Sequence, residues 1–190
     1  MKHSFFFIFV IYYNINLYAQ SPGLVIQGGL TASYSKDKIV TKPKEGHYGW
    51  MLGADARVLE GDLYFIIGGQ FHQTSLVSSK GADFFKKNDW KILMGRFGFG
   101  FNVLKFSENL AIRSKILGSL NYVLDAPAGG LNIDGYKEIN DSYLGLVTGL
   151  GVTIGSLDID LDFQYGVINA YKLKPETTFN SWTLMTGFHF

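Results

Sequence analysis

The sequence predicts an all-β protein, an eight-stranded antiparallel up-and-down transmembrane β-barrel. Glycine (23 residues) and aromatic residues (16 Phe, 11 Tyr and 3 Trp) are frequent in this chain of 190 residues, a composition typical of β-structure. Apolar and polar residues alternate with a period of two almost throughout residues 23–190, as on strands with one buried face. Short and long connections also alternate along the chain, as they do in transmembrane barrels.

The N-terminus precedes this pattern and resembles a secretory signal peptide. Lys2 is followed by the apolar run FFFIFVIYY, and Leu17-Tyr18-Ala19 ends on a small residue at a cleavage position. The run is much shorter than the ~20 residues of a membrane-spanning helix. We therefore expect a cleaved signal peptide, residues 1–19, followed by one barrel domain, residues 20–190. An uncleaved membrane anchor is the alternative.

Charge and cysteine content exclude several function classes. Cleavage removes one of the 17 Lys and Arg residues and none of the 16 Asp and Glu residues, so the formal charge becomes zero (16 − 16 = 0). A neutral chain lacks the electrostatic support that nucleic-acid binding requires. The absence of cysteine excludes disulfides and thiolate metal sites.

The eight predicted strands follow one another without a helical stretch between them. In each of them apolar residues occupy alternate positions, and no window keeps the period of an amphipathic helix. The strands cover residues 23–34, 48–59, 62–72, 91–104, 110–124, 142–154, 157–171 and 181–190.

The connections between these strands differ in length in a regular way. Glu60-Gly61-Asp62, residues 105–109 and Gly155-Ser156 are tight hairpin turns. The connections after strands 1, 3, 5 and 7 are longer and polar, and they cover residues 35–47, 73–90, 125–141 and 172–180. In an antiparallel barrel this places all short turns at one end and all long loops at the other.

Sorting each strand by parity gives two different faces. One face carries most of the Leu, Ile, Val and Phe residues and almost no charge, whereas the other carries polar residues and glycines. A soluble, lipocalin-like barrel would bury the apolar face, but so many large side chains would overfill an eight-stranded lumen. We therefore expect the apolar face outside, against lipid.

Aromatic residues on the predicted outer face form two bands. Such girdles mark the two interfaces of a membrane. Trp90 is an exception, since parity turns it inward unless a bulge precedes its strand. The long-loop band contains Tyr34, Tyr48, Trp50, Phe71, Tyr122, Tyr171 and Trp182, and the short-turn band contains Phe65, Phe101, Phe106, Phe188 and Phe190.

The predicted inner face carries charges of balanced sign. In LDIDLDFQYG, residues 157–166, three aspartates alternate with apolar residues and face one side. Because an unpaired charge in a narrow lumen is costly, four cations and four anions predict a salt-bridged plug. A wet pore with the same lining is the alternative. The eight residues are Asp55, Arg57, Arg96, Arg113, Lys115, Asp158, Asp160 and Asp162.

A calcium site in the aspartate run is excluded by spacing. An EF-hand loop requires Gly and Glu where this sequence has Phe163 and Asn169.

The sequence has a signal-like start, the opening GLVIQGGLTASY, eight alternating strands and the close SWTLMTGFHF. In these features it resembles the small outer-membrane β-barrel proteins, most of all the PorT-like barrels. The resemblance implies a monomer in the outer membrane of a Gram-negative bacterium, in contact with its lipids. It also implies that the barrel insertion machinery recognises the last strand. The resemblance indicates where the protein is located rather than what it does, because this fold hosts many functions. The residues that fit the insertion signal are Trp182, Leu184, Phe188 and Phe190.

The long predicted loops at 73–90 and 125–141 are candidates for binding. They mix aromatic residues with cations that can meet lipopolysaccharide phosphates. A solubilising rim near an anionic leaflet is the alternative interpretation. The candidate residues are Lys80, Phe84, Phe85, Lys86, Lys87 and Tyr136.

Three function classes follow. We favour a structural or surface-interaction barrel with a charge-plugged lumen, which has no catalytic residues, cofactor or metal and no nucleic-acid partner. A narrow channel for small solutes is the alternative. The second alternative is a lipid-modifying enzyme that uses His72 with Ser75 and an acid such as Asp83.

Overall fold

The computed structural model describes residues 23–35, 47–58, 61–74, 90–107, 109–125, 138, 140–173 and 177–190. The residues predicted to form the signal peptide, 1–19, lie outside these ranges. Within them, no helix is long and apolar enough to cross a membrane. The strands are β1 (Gly23–Tyr34), β2 (His47–Val58), β3 (Leu63–Thr74), β4 (Trp90–Ser107), β5 (Leu110–Asp125), β6 (Ser142–Ile154), β7 (Leu157–Gly166) and β8 (Asn180–His189).

The eight strands form a closed antiparallel barrel, which confirms the predicted fold class. Each strand pairs with its neighbour in the chain, and β1 pairs with β8. Following register partners once around the barrel from Leu110 leads to Leu120 on the same strand, a shear of ten residues (120 − 110 = 10). An eight-stranded barrel of this kind has tilted strands and an interior just wide enough for side chains.

Six of the eight predicted strands have the observed boundaries within two residues, and β4 and β7 differ more. β4 continues to Ser107, because register shifts at Asn102/Leu104 and Lys105/Ser107 keep it paired with β5 beyond the predicted end. The turn between β6 and β7 is the predicted pair Gly155-Ser156. Its glycine has a φ of 61°, as tight hairpin turns require.

The predicted end of β7 is wrong by five residues. β7 ends at Gly166, where a methyl group would lie only 2.9 Å from the backbone nitrogen of Phe179. The chain then turns inward, so Tyr171 is buried and does not belong to the outer aromatic band. Alternation continues through residues 167–171 in the sequence, but the close backbone approach at Gly166 ends the strand.

The two faces of the barrel have inverted polarity relative to a water-soluble protein. Large apolar side chains such as Phe97, Ile116 and Leu150 are more than half exposed around the outside. Arg96, Asn121 and Asp158 are buried inside.

The end of the lumen next to the long loops is filled by apolar and aromatic side chains. We call this group the aromatic cap. Trp90 belongs to it and points inward, as parity predicts. Its ring packs edge-on against Tyr171 at 6.4 Å, and Tyr143 packs against Phe179 at 5.7 Å between ring centroids. The cap consists of Trp90, Ile92, Tyr143, Ala170, Tyr171 and Phe179.

Candidate functional site in the barrel lumen

The eight charged side chains predicted to face the lumen all lie there and form one continuous series of ion pairs. We call this series the charge network. It occupies the half of the lumen nearer the short turns. In order, cations and anions alternate: Asp55, Arg96, Asp162, Lys115, Asp160, Arg113, Asp158 and Arg57.

Arg96 and its partner Asp55 form the end of the charge network that lies nearest the middle of the barrel, which we call the upper end. Arg96 Nε donates to Asp55 Oδ1 at 2.9 Å, and a second, shorter contact makes this pair bidentate. Its third nitrogen donates to Asp162 Oδ2 at 3.1 Å. With its amide oxygen turned toward Arg96, Gln70 accepts two further bonds of 2.6 and 2.9 Å. Four acceptor oxygens, two from Asp55 and one each from Asp162 and Gln70, thus replace the water around the guanidinium.

Lys115 connects the upper part of the charge network to the lower part. Its Nζ lies 2.8 Å from Asp162 Oδ1 and 3.5 Å from Asp160 Oδ1. All three side chains are nearly completely buried. One ammonium therefore neutralises two neighbouring carboxylates on the same strand.

Two arginines and a hydroxyl surround Asp158 at the lower end, next to the short turns. Arg113 lies 3.1 Å from Asp158 and 3.2 Å from Asp160. Arg57 donates to Asp158 at 2.5 Å, and Thr153 donates to it at 2.7 Å. The fully buried carboxylate of Asp158 is therefore satisfied on both oxygens.

Glycines make room for three of the four carboxylates of the charge network, those of Asp55, Asp160 and Asp162. Each aspartate lies opposite a glycine in the register of an adjacent strand. A methyl group on Gly149 would overlap the Asp162 carboxylate and approach Lys115 Cε to 2.7 Å. The pairs are Asp55 with Gly68, Asp158 with Gly187, Asp160 with Gly151 and Asp162 with Gly149.

Sequence reasoning missed two residues that support the charge network. Tyr64 lies beneath Arg57, whose guanidinium carbon is 5.6 Å from the ring centroid. Gly100 accommodates this ring, since a methyl group there would overlap it. Thr153 is the second, because its hydroxyl donates to Asp158 at 2.7 Å. A tyrosine opposite a glycine on the inner face is the signal that identifies Tyr64.

Between the charge network and the aromatic cap, the lumen is lined mainly by neutral polar side chains and methionines. Thr31 bonds to Thr183 at 3.2 Å, and Ser33 bonds to Thr74 at 2.8 Å. A cavity of about 10 Å³ adjoins Arg96 and Asp162 of the charge network, and its volume is close to what one water molecule requires. The residues that line it include Gln70, His72, Met94, Gln164, Thr183 and Met185.

The residues considered for catalysis and metal binding are not brought together among the described residues. The His72 ring is buried in the lumen, 2.9 Å from the amide of Gln70, while Ser75 and Asp83 lie outside the described ranges. No group of three His, Asp or Glu side chains within those ranges is arranged to hold a metal ion.

Two predicted sites remain, the outer-loop binding residues and the insertion signal, and only the insertion signal lies within the described ranges. Lys80, Phe84, Phe85, Lys86, Lys87 and Tyr136 all lie outside the described ranges. The residues that fit the insertion signal face outward on β8 or directly after it. Their side chains are all exposed: Trp182, Leu184, Phe188 and Phe190.

No family model and no curated protein matches the chain, so membership of the PorT-like barrels stays a prediction. A crystal structure of Neisserial surface protein A (NspA) is similar over 88% of this chain and 94% of its own, at 15% identity and a TM-score of 0.57. Two structures of Ail from Yersinia pestis, the attachment invasion locus protein, are also similar. One, in complex with the heparin analogue sucrose octasulfate, has 16% identity and a TM-score of 0.45. The other, in a phospholipid bilayer nanodisc, has 18% identity and a TM-score of 0.42. Both cover 90% of this chain and 100% of theirs. At these identities the likeness to NspA is one of fold.

Proposed function

We propose that the chain is a Gram-negative outer-membrane barrel with a closed lumen, which acts as a structural or surface-interaction protein through its long loops. The observation that carries this proposal is the inverted polarity of the barrel. Soluble monomers rarely expose a continuous apolar surface of this extent, since their largest apolar patches measure a few hundred Å². A lipid bilayer is the solvent that such a surface fits, and a closed barrel leaves no unpaired strand edge in it.

The packing of the lumen supports the proposal that this barrel does not conduct. The charge network has equal numbers of cations and anions, each within ion-pair distance of a partner. A solute path would require these side chains to separate, and each would then lose a partner in a poorly hydrated space. The aromatic cap fills the opposite end.

The surface-interaction role rests on the loops and on the outer girdle. Tyr34, Tyr48 and Trp182 are exposed at the long-loop end, where aromatic side chains fit a membrane interface. The loops that follow carry Lys80, Lys86 and Lys87, which suit phosphate groups of lipopolysaccharide. The proposed partners are therefore outer-membrane lipids. The insertion machinery would act on the monomer during biogenesis, after export through a cleaved signal peptide.

No catalysis enters this proposal. His72 is enclosed in the lumen beside Gln70 and near Arg96, away from the outer lipid face. A lipid-modifying enzyme would need its nucleophile and base accessible to lipid.

Binding of the folded chain to lipopolysaccharide vesicles tests the surface role. Replacing Lys80, Lys86 and Lys87 together with Ser should weaken binding and reduce its salt dependence, because charge pairing with phosphates is lost. Lys105→Ser, at the short-turn end, is the matched control and should bind like the wild type. Equal binding by the triple variant and the wild type would contradict the proposed loop surface.

A further inference from the structure

We infer that residues 167–173 and 177–179, from the connection between β7 and β8, form a strap that closes the long-loop end of the lumen independently of the charge network. This inference rests on the proposed function, since it concerns a barrel set in a membrane.

The strap is folded inward. Ala170, Tyr171, Thr177 and Phe179 are each no more than 3% exposed. Tyr171 packs on Trp90 from β4, and Phe179 packs on Tyr143 from β6. The strap therefore supplies half of the aromatic cap.

Backbone hydrogen bonds give the strap a defined shape. Ala170 N donates to Thr177 O at 2.9 Å, and Asn169 forms an antiparallel bridge with Thr178, so the two described parts of the strap lie side by side. The strap is also joined to the end of the β5–β6 connection. Lys172 N donates to Glu138 O at 3.0 Å, and Asn140 N donates to Ala170 O at 2.9 Å.

Gly166 and Asn180 form the base of the strap. The Gly166 backbone nitrogen donates to the Asn180 side chain at 3.2 Å. A methyl group on Gly166 would lie 2.9 Å from Phe179 N and 3.2 Å from its carbonyl carbon. A substitution here displaces the strap without touching the charge network.

Among the described residues, the strap shares no ion pair with the charge network. The described charged pair nearest to its tip, Lys172 with Glu138 at 3.9 Å, is on the surface. The ~10 Å³ cavity is lined by Arg96 and Asp162 of the charge network, by neutral polar side chains and by methionines, but by none of the six cap residues. Displacing the strap should therefore leave the charge network intact, and breaking the charge network should leave the strap in place.

Cysteine accessibility in intact Gram-negative cells that express the full chain tests this inference. The chain has no cysteine of its own, and Ser181→Cys places a thiol at a buried position two residues after Phe179. With the native strap, a membrane-impermeant thiol reagent should not label it. Adding Tyr171→Ala should raise the labelling rate on the order of a hundredfold, because truncating a buried aromatic residue strongly favours local opening. Gly166→Ala should also raise it.

Two controls separate the possible outcomes. Gly95→Ala is the matched control, since its nearest atom would be 3.9 Å away on the outer face, and its labelling should stay at the wild-type level. A thiol at the exposed outer rim, Asp125→Cys, should react readily in every background. An unreactive rim thiol would overturn the proposed surface location, whereas a reactive rim with unchanged labelling at position 181 would overturn the strap alone.

Planar bilayers test the independence of the two closures. Tyr171→Ala alone should remain silent, because the charge network still closes the short-turn half. Tyr171→Ala combined with Lys115→Ala should give a steady current. Conductance of Tyr171→Ala alone, or silence of the double variant, would overturn the inference of two independent closures.

Discussion

In the short-turn half of the lumen, eight charged side chains form ion pairs with one another, whereas neutral hydrogen bonds and aromatic packing fill the long-loop half. The two halves differ in whether neighbouring side chains lose a partner when one residue is removed. Each member of the charge network has partners that would be left charged and buried without it, while a member of the aromatic cap leaves only a gap. Loss of an ion pair from the charge network should therefore cost more than loss of a neutral hydrogen bond from the long-loop half.

Arg96→Ala should have the largest effect. It removes the shared partner of Asp55 and Asp162, which are both buried. Breaking a buried ion pair from one side costs ~3–5 kcal/mol. Urea unfolding in lipid vesicles, followed by tryptophan fluorescence, measures this loss. A change below 1 kcal/mol would mean that water, rather than Arg96, satisfies these carboxylates.

Gly149→Ala should come next. The added methyl group overlaps the Asp162 carboxylate and crowds Lys115. Overpacking of this kind costs ~1–3 kcal/mol. The same unfolding measurement applies, with Gly69→Ala as the control, since its methyl group would face outward with its nearest atom 3.9 Å away. Equal stability of the two variants would show that the Asp162 side chain moves aside freely.

Ser33→Ala should have a smaller effect and represents the long-loop half. It removes a neutral 2.8 Å hydrogen bond to the buried Thr74 hydroxyl. The expected loss is about 1 kcal/mol. If Ser33→Ala proved as damaging as Arg96→Ala, the contrast between the two halves would not hold.

Lys91→Ala should have the smallest effect. Its pair with Asp125, 2.9 Å long, lies on the surface with both side chains about half exposed. Such pairs contribute ~0.2–1 kcal/mol and are screened by salt. Unfolding in low and high salt should show a small difference that disappears at high salt. A loss that persists at high salt would indicate another role for Lys91.

Much of this architecture follows from alternation alone. A period of two fixes which residues of β7 share a face, so Asp158, Asp160 and Asp162 could be assigned to the lumen with their four cations. Their exact pairing could not be predicted, because the cations come from β2, β4 and β5 and reach across the barrel. The register needed to align each aspartate with its glycine is likewise a property of the closed barrel.

The aromatic cap shows where the alternation signal fails. Tyr171 continues the pattern of β7, and alternation therefore predicts that it belongs to the outer band. The structure turns the chain at Gly166 instead, and burial against Trp90 replaces the lipid contact. A glycine within a strand pattern can mark such a close approach, but the inner face has many glycines, and the sequence does not distinguish this one.

Single-channel recording of the folded wild-type chain in planar bilayers tests the central claim, a lumen closed by the charge network and the aromatic cap. We expect no current from protein shown to be folded by its resistance to protease. Steady, reproducible conductance steps from that protein would contradict it, and would mean that the three aspartates of β7 line a continuous water path.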